Sequence, residues 1–380
     1  LFPLLLRRVL LPLLLRRLRL RHHRRRCRRC LQAPCNVQVI TISSFQHTLD
    51  LEGFFFFFFN FVEGLRNVGN TCFLNAIVQL LVSSPNVCNA LSCTKESAVE
   101  SPDLLKALQQ VSATLLTTSS SDPSSPPPCA SASVLYNSLP LGFRHRGQQH
   151  DAAEALDAIL DALSPSDPTT GKRRADSSAL SSVISQEVTG TVVDCLACKS
   201  CGYSRSGEPA KFKTYFLLAP RAGALQTFFN AAAETSSPQE FMCDCGERGS
   251  TETSVSFVKT PNALVVRLQR FRHDRTFFHG EKVFFAVEIP ALLTLPKPRD
   301  SEEDSPQYAL VGVVNHVNAS APTRHHGHYV SKARQRDGSW WRCDDDRVTR
   351  ISEDDATSTG SFADTPYLFL YEKVHRGAKP

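Results

Sequence analysis

Three residues in this 380-residue chain have types and settings that suit nucleophilic chemistry. The first is Cys72, in VGNTCFLNAIVQLLVSS at 68–84. Leu74, Ile77, Val78 and Leu81 follow it at i, i+3, i+4 and i+7, the apolar stripe of a core-facing helix. With Asn70 and Thr71 as caps, Cys72 falls in the first turn, where unpaired N–H groups and the positive end of the helix dipole favour a thiolate. A small buried cysteine that only packs is the plain alternative, so the assignment needs partners. A thiol nucleophile requires a base, and the base requires a third group to fix its tautomer. His328 opens the strand-like HYVSKAR, Asp337 and Gly338 make a turn, and SWWRC follows. Folding the chain at that turn sets Asp344 about opposite His328, unless this is a surface hairpin with acidic decoration.

A second constellation is CLACKSC together with CDC. Cys198 and Cys201 form C-x-x-C, Cys243 and Cys245 form C-x-C, and 41 residues lie between the pairs. Two thiolate pairs on two hairpin tips make a tetrahedral zinc site, which replaces a core that a thin lobe cannot build. Cys195 is a competing ligand, and a metal-free set of reduced cysteines is the alternative. Thirteen cysteines, an odd number, clustered without a secretory signal of the usual form, point to thiol and metal chemistry rather than a disulfide scaffold.

The elements that must position these residues change character along the chain. A helical region over 72–116 gives way to a Ser/Pro-rich loop at 117–133, and a second helix starts near Asp151. After an exposed connection at 164–182 the texture becomes strands: TGTVVDCLAC, FKTYFLLA, SVSFVK, ALVVRLQRF, EKVFFAVEI and YALVGVVNHV. Helices first and strands later read as an α+β fold in which two lobes form a cleft. The formal charge of +6 is uneven: residues 1–30 carry eleven arginines, and taking those from 43 leaves 32 cationic residues against 37 acidic ones. The overall basicity therefore does not imply nucleic acid as a partner. Residues 1–63 look unlike the rest. They read as a transit-like leader or as sequence outside the true message, with FFFFFF at 54–59 and no apolar run long enough to span a bilayer.

Taken in order, five segments resemble the ubiquitin-specific protease family. GLRNVGNTCFLN (64–75) is similar to its cysteine box, QHDAAEAL (149–156) to its QxDxxE segment and NALVVRLQRF (262–271) to its strand ending in Arg-Phe. GHYVSKARQRDGSWWRCDDDRV (327–348) is similar to its histidine box and PYLFLYE (366–372) to its closing strand. The resemblance implies a papain-like cysteine protease fold over 64–376, with a thumb at about 64–187, fingers at about 188–260 and a palm mainly at 261–376. It implies Cys72 as nucleophile, His328 as base and then acid, Asp344 as the orienting acid and Asp345 as a polar group beside them. Asn67 matches the side-chain donor of the oxyanion hole. Asp151 matches the acid that binds the backbone of the ubiquitin tail, and Gly327 and Tyr329 flank its passage; a helix cap and a half-buried strand residue are the plain readings of Asp151 and Tyr329. The four cysteines become the zinc site of the fingers.

The departures are a second cysteine pair one residue short, Cys343 in place of an aromatic, and Ala155 in place of a bulky apolar residue. His325 and His326 read as a polar loop ahead of the base. The expected activity is hydrolysis after the C-terminal glycine of ubiquitin, with ubiquitin and ubiquitinated proteins as partners, in the cytoplasm and/or nucleus, or in an organelle if the N-terminus is genuine. A catalytically impaired ubiquitin-binding scaffold and the same chemistry on a ubiquitin-like modifier are the alternatives.

Overall fold

The computed structural model describes residues 63–117, 130–145, 147–165, 182–219, 221–233, 242–247, 251–274, 277–299, 304–317 and 327–374. The expectations for residues 1–62, and for His325 and His326, lie outside the described residues. Helix α1 (Cys72–Val82) is buried at every residue but Val82, so it is a core element on all sides rather than one with a single apolar stripe. Its two amides explain how a helix with polar positions tolerates this. Asn75 Nδ2 donates to Leu65 O at 3.1 Å, and Gln79 Nε2 donates to Glu63 O at 2.6 Å, so the chain leading into the helix is bound along its flank. Helix α2 (Ala152–Ala162) packs beside it in the same apolar cluster.

The second half supplies β1 (Gly190–Cys198), β2 (Thr214–Leu217), β3 (Thr251–Lys259), β4 (Ala263–Leu268), β5 (Gln307–Val317), β6 (His328–Arg334), β7 (Trp340–Asp344), β8 (Arg347–Ile351) and β9 (Asp364–Lys373). The large sheet runs in the order β8-β7-β6-β5-β9-β4-β2, with Leu292–Thr294 also paired to β5. Only β2 against β4 is parallel in that series. Its central strands are covered on both faces. On β9, Leu368 and Leu370 join the helical cluster while Phe369 and Tyr371 join a second cluster on the other side, which is why this segment reads as a continuous apolar run. Helix α1 lies tight against β5: a Cβ on Gly312 would stand 2.7 Å from Leu80 Cδ1 and 2.8 Å from Ser83 Oγ.

A smaller sheet pairs β1 with β3, Ser204–Ser206 and Ala210–Phe212. The stretch expected to be fingers, 188–260, is not continuous in space: β2 leaves the small sheet for the edge of the large one, and the helix Leu225–Ala233 follows it. The reason is apolar alternation. Tyr215 and Leu217 need a core to cover them, and Phe228 and Phe229 help to build it. Among the described residues no single helix is long and apolar enough to cross a membrane.

Because Ile77 is wholly enclosed, Ile77→Ala is expected to lower the unfolding free energy by about 2–5 kcal/mol. A urea titration reads this as a lower midpoint at unchanged slope. A loss under about 1 kcal/mol would contradict the burial of α1.

Candidate active site

Cys72 is the first residue of α1, as the spacing predicts, but the capping differs. Thr71 occupies the N-cap position, but its Oγ1 accepts from Val68 N at 3.1 Å and donates to Asn67 Oδ1 at 3.3 Å rather than capping the helix amides, and Asn70, at φ 55°, turns its Nδ2 to Gly147 O at 2.7 Å. The loop is instead folded on Asn67, whose Oδ1 accepts from Gly69 N at 3.0 Å and Thr71 N at 3.1 Å. The consequence is chemical. No capping side chain takes the N–H groups at the start of α1, and they face the same end as the sulfur.

His328 begins β6 and Asp344 ends β7. The pairing register runs Ser331 to Cys343 and Lys332 to Arg342, so the hairpin is centred on 337, one residue later than expected, and Asp344 stands diagonal to His328 rather than opposite it. The diagonal neighbours share a face of the sheet, and Asp344 Oδ1 still reaches His328 Nε2 at 2.6 Å. Arg342 Nη1 donates to the other oxygen, Oδ2, at 2.8 Å, which fixes the carboxylate from its own strand. With Nε2 engaged, Nδ1 is the nitrogen left for Cys72. The hydrogen bond with Cys72, opposed by burial and reinforced by Asp344, raises the His328 pKa to about 9. Burial works against the Asp344 charge, but the bonds from His328 and Arg342 prevail and hold its pKa below the ordinary value.

Asp345 does more than stand beside these groups. It sits in the turn at φ 54°, and its Oδ2 accepts from Asn67 Nδ2 at 2.9 Å while its Oδ1 accepts from Asn75 Nδ2 at 2.8 Å. Its backbone carbonyl accepts from Leu65 N at 2.9 Å. Asn67 therefore keeps one N–H bound to Asp345 and a second one free to donate.

Around this group the other expected residues take different places. Asp151 is fully buried; as N-cap of α2 its Oδ1 accepts from Ala153 N at 2.8 Å and Glu154 N at 3.0 Å, and Tyr367 OH lies 3.0 Å from both oxygens. Tyr329 is closed off from solvent rather than half-buried, its ring centroid 4.9 Å from that of His316 and 6.4 Å from that of Tyr367. Gly327, at φ 146°, directs its carbonyl to Gln149 Nε2 at 2.6 Å. The same nitrogen is 3.9 Å from Cys72 Sγ. Cys343 is packed inside, where burial pushes its thiol up to about 12. Ala155 is buried against the helical cluster, where a bulkier side chain would need room.

Three contributors escaped the motif reading. Gln149 and Asn75 stand inside quoted segments, but nothing in spacing singles out an amide as a bridge. Arg342 could have been found: it is two residues before Asp344, so on a strand it shares that residue's face.

The cysteine cluster forms as a closed group. Sγ of Cys198 is 3.8 Å from that of Cys245, Sγ of Cys201 is 3.8 Å from that of Cys243, and all four lie within 4.8 Å of one another. Tetrahedral sulfurs about 2.3 Å from zinc stand about 3.8 Å apart, so the donor set fits the ion despite the shortened second pair. Turns with Gly202 N bonded to Cys198 O and Gly246 N bonded to Cys243 O hold the two pairs. Cys195 is not a competitor: three residues before Cys198 on β1, it faces the other side, near Ser206, Ser256 and Arg299.

The family model described as ubiquitin carboxyl-terminal hydrolase matches residues 63–371. Human ubiquitin carboxyl-terminal hydrolase 17-like protein 13 is 25% identical over 339 residues, covering 83% of this chain and 59% of the relative. Human 17-like protein 6 is also 25% identical over 339 residues, with 83% and 78% covered. The chain thus spans about three-fifths of the first relative's length. The SAGA Ubp8/Sgf11/Sus1/Sgf73 DUB module bound to ubiquitin aldehyde matches with a TM-score of 0.64 at 20% identity, covering 82% of this chain and 70% of that one. The same module bound to monoubiquitin gives 0.63 at 18% identity, with 82% and 69% covered.

A rate profile checks the coupling of the pair. A reaction at Cys72 that needs a proton from His328 is expected to fall on an alkaline limb centred near 9, as His328 loses that proton. Because folding raises this pKa, the stability it contributes is complete below about 6.5 and lost as pH rises through about 9. Asp344→Asn is expected to move the limb downward; an unmoved limb would mean that Asp344 does not act on the imidazole.

Proposed function

The chain belongs to the ubiquitin carboxyl-terminal hydrolase family, and we propose that it is a thiol-dependent deubiquitinase that hydrolyses the peptide or isopeptide bond after the C-terminal glycine of ubiquitin. The observation that carries this reading is the joining of Cys72, His328 and Asp344 at the uncapped start of α1, with Asn67 held beside them by Asp345.

Cys72 attacks as thiolate, with His328 protonated next to it. The glycine carbonyl carbon gains the C–S bond, and its oxygen takes the negative charge. Asn67, through its free N–H, and the first N–H groups of α1 stabilise that oxyanion, an effect worth about 3 kcal/mol for a single well-placed donor. Collapse of the intermediate breaks the C–N bond, and the departing amine takes the proton from His328. A water then gives one proton to His328 as its oxygen attacks the thioester; the C–S bond breaks, restoring the thiolate and releasing the glycine carboxylic acid, which loses the second proton to solvent. Asp344 keeps the imidazole oriented through both halves.

Asp151 serves the tail by ordering the start of α2, and any direct bond to the tail uses the oxygen not engaged by the helix cap. Gly327 and Tyr329 shape the same passage. The thumb, finger and palm roles follow the layout of helices, small sheet and large sheet. Cys198, Cys201, Cys243 and Cys245 hold a structural zinc ion, whose chemistry is to tie together the ends of two strands that bury little apolar surface.

The test of the activity is a ubiquitin whose C-terminus carries a thiol-reactive warhead. Wild type is expected to be labelled, Cys72→Ala not at all, and His328→Ala far more slowly. Reversible ubiquitin binding by a folded, unlabelled wild type would establish a scaffold instead; labelling only by probes made from ubiquitin-like modifiers would change the substrate. For the metal, the purified chain is expected to contain one zinc per molecule by elemental analysis, and a chelator is expected to lower the thermal midpoint. A zinc content near zero in a folded, active protein would remove that role.

A further inference from the structure

His328 stands where three strands of the large sheet come to an end. β5 ends at Val317, β6 begins at His328 and β9 begins at Asp364, and Val317 is paired with both of the others. One step inside that end lies His316, paired with Tyr329 on one side and Thr365 on the other. Its ring centroid is 4.9 Å from that of Tyr329, and a Cβ on Gly327 would stand 2.5 Å from its Nε2. Both chain neighbours of His328 therefore rest on His316, and a displacement of His316 is passed to the base from either side.

What holds His316 is a lysine from outside the sheet. Phe271–Asp274 and Phe277–Lys282 pair as an antiparallel hairpin, with Lys282 opposite Phe271 at its base. Lys282 Nζ donates to His316 O at 3.2 Å and to Phe362 O at 2.8 Å, and it lies 5.1 Å from the centre of the Phe362 ring. The ammonium thus ties the end of β5 to the loop before β9. From β5 the titratable group near it is His316 itself, whose ring is turned to Phe271, Tyr329 and Gly327. The charged groups acting on it are Arg270, just ahead of the hairpin, and Asp364 at the start of β9, whose Oδ1 accepts from Asn315 Nδ2 at 2.7 Å. Burial and Arg270 outweigh Asp364 and bring the Lys282 pKa down to about 8. An apolar side chain would avoid the cost of burying that charge, so stability alone does not account for a lysine here.

We propose that Lys282 is a positioning residue for the reaction at Cys72: its ammonium fixes the His316 carbonyl, and through the His316 ring it holds Gly327 and Tyr329, and with them His328, in place. Charge-assisted hydrogen bonds are about twice as strong as neutral ones, and a neutral amine loses the attraction of the Phe362 ring. The hold on His316 therefore slackens as pH rises through about 8. The turnover assay of this role rests on the deubiquitinase reading; the contacts do not.

The test uses the full chain with Lys282→Met, which keeps the length of the side chain without its charge, and Lys282→Arg, which stays charged throughout. kcat/KM for a fluorogenic ubiquitin C-terminal amide is followed from about pH 6.5 to about pH 9.5. Titration of His328 enters every profile, so the ratio of wild type to Lys282→Met isolates Lys282. That ratio is expected to be about tenfold at the acid end and to fall towards one with a midpoint near 8. Lys282→Arg is expected to keep its activity above that midpoint at least about twofold better than wild type does, and it carries the test by itself if the methionine variant does not fold. A ratio that is constant across the range shows packing alone and overturns the proposal; so does a ratio near one throughout, or an arginine profile that superimposes on that of wild type. A wild type that leaves the ubiquitin amide intact would refute the proposed activity. The same ratios are then read from alkylation of Cys72 by iodoacetamide, whose rate depends on the imidazolium beside the thiolate, and they decide the role of Lys282 without any substrate.

Discussion

Asp345 receives Asn75 Nδ2 on one carboxylate oxygen and Asn67 Nδ2 on the other, joining the turn after β7 to residues 270 and 278 positions away in sequence. Its neighbour Asp344 receives His328. Two consecutive carboxylates therefore set the position of the Cys72 loop and of His328. A hydrogen bond to a charged acceptor contributes about 1.5–3 kcal/mol, and removing the acceptor costs more when its donors stay shielded from water. The left-handed backbone at Asp345, which aspartate tolerates better than most residues, is what lets adjacent side chains serve two different partners.

Everything around that turn is rigid for a reason visible in the packing. Helix α1 is enclosed on nearly every side, β5 approaches it closely enough to require Gly312, and β9 is covered on both faces. Cys72 at the start of such a helix is held in place by its packing, and for a reacting group a misplacement of about 1 Å is enough to cost a rate about a hundredfold. The cysteine-bearing strands rest on a different principle. β1 and β3 are mostly half-exposed, so the convergence of four sulfurs replaces the apolar area they do not bury. Gln149 bridges the two sides of the site, its Nε2 bonded to Gly327 O at 2.6 Å and 3.9 Å from Cys72 Sγ.

The legible part of the site is the part that rests on residue type and local periodicity. Cys72 at a helix start, His328 on a strand and Asp344 across a short turn were all accessible from spacing, and the two cysteine pairs announced themselves. The observed register is centred one residue later than the sequence suggests, because a turn at Asp337 and Gly338 does not specify how many residues it consumes. Thr71 takes the N-cap position as its type suggests, but its side chain does not cap: Asn67, Asn70 and Thr71 all have side chains able to do so, and which one folds the loop depends on Asp345, far away in the chain. Asn75 reads as a polar position on the free face of an amphipathic helix until the partner that buries it is known. In the same way β2 looks like a finger strand locally, and only the core against Tyr215 and Leu217 draws it into the large sheet.

The proposed action of Asp345 on catalysis through Asn67 is tested most directly by a double-mutant cycle on kcat/KM. Asn67→Ala, Asp345→Ala and the double variant are compared on a ubiquitin C-terminal amide, with folding checked by urea titration. If the two residues act as one unit, the double variant is little worse than the more damaging single one, giving an interaction of about 1.5–3 kcal/mol. Losses that add to within about 0.5 kcal/mol would mean that Asn67 is held in place by something else, and would contradict the account.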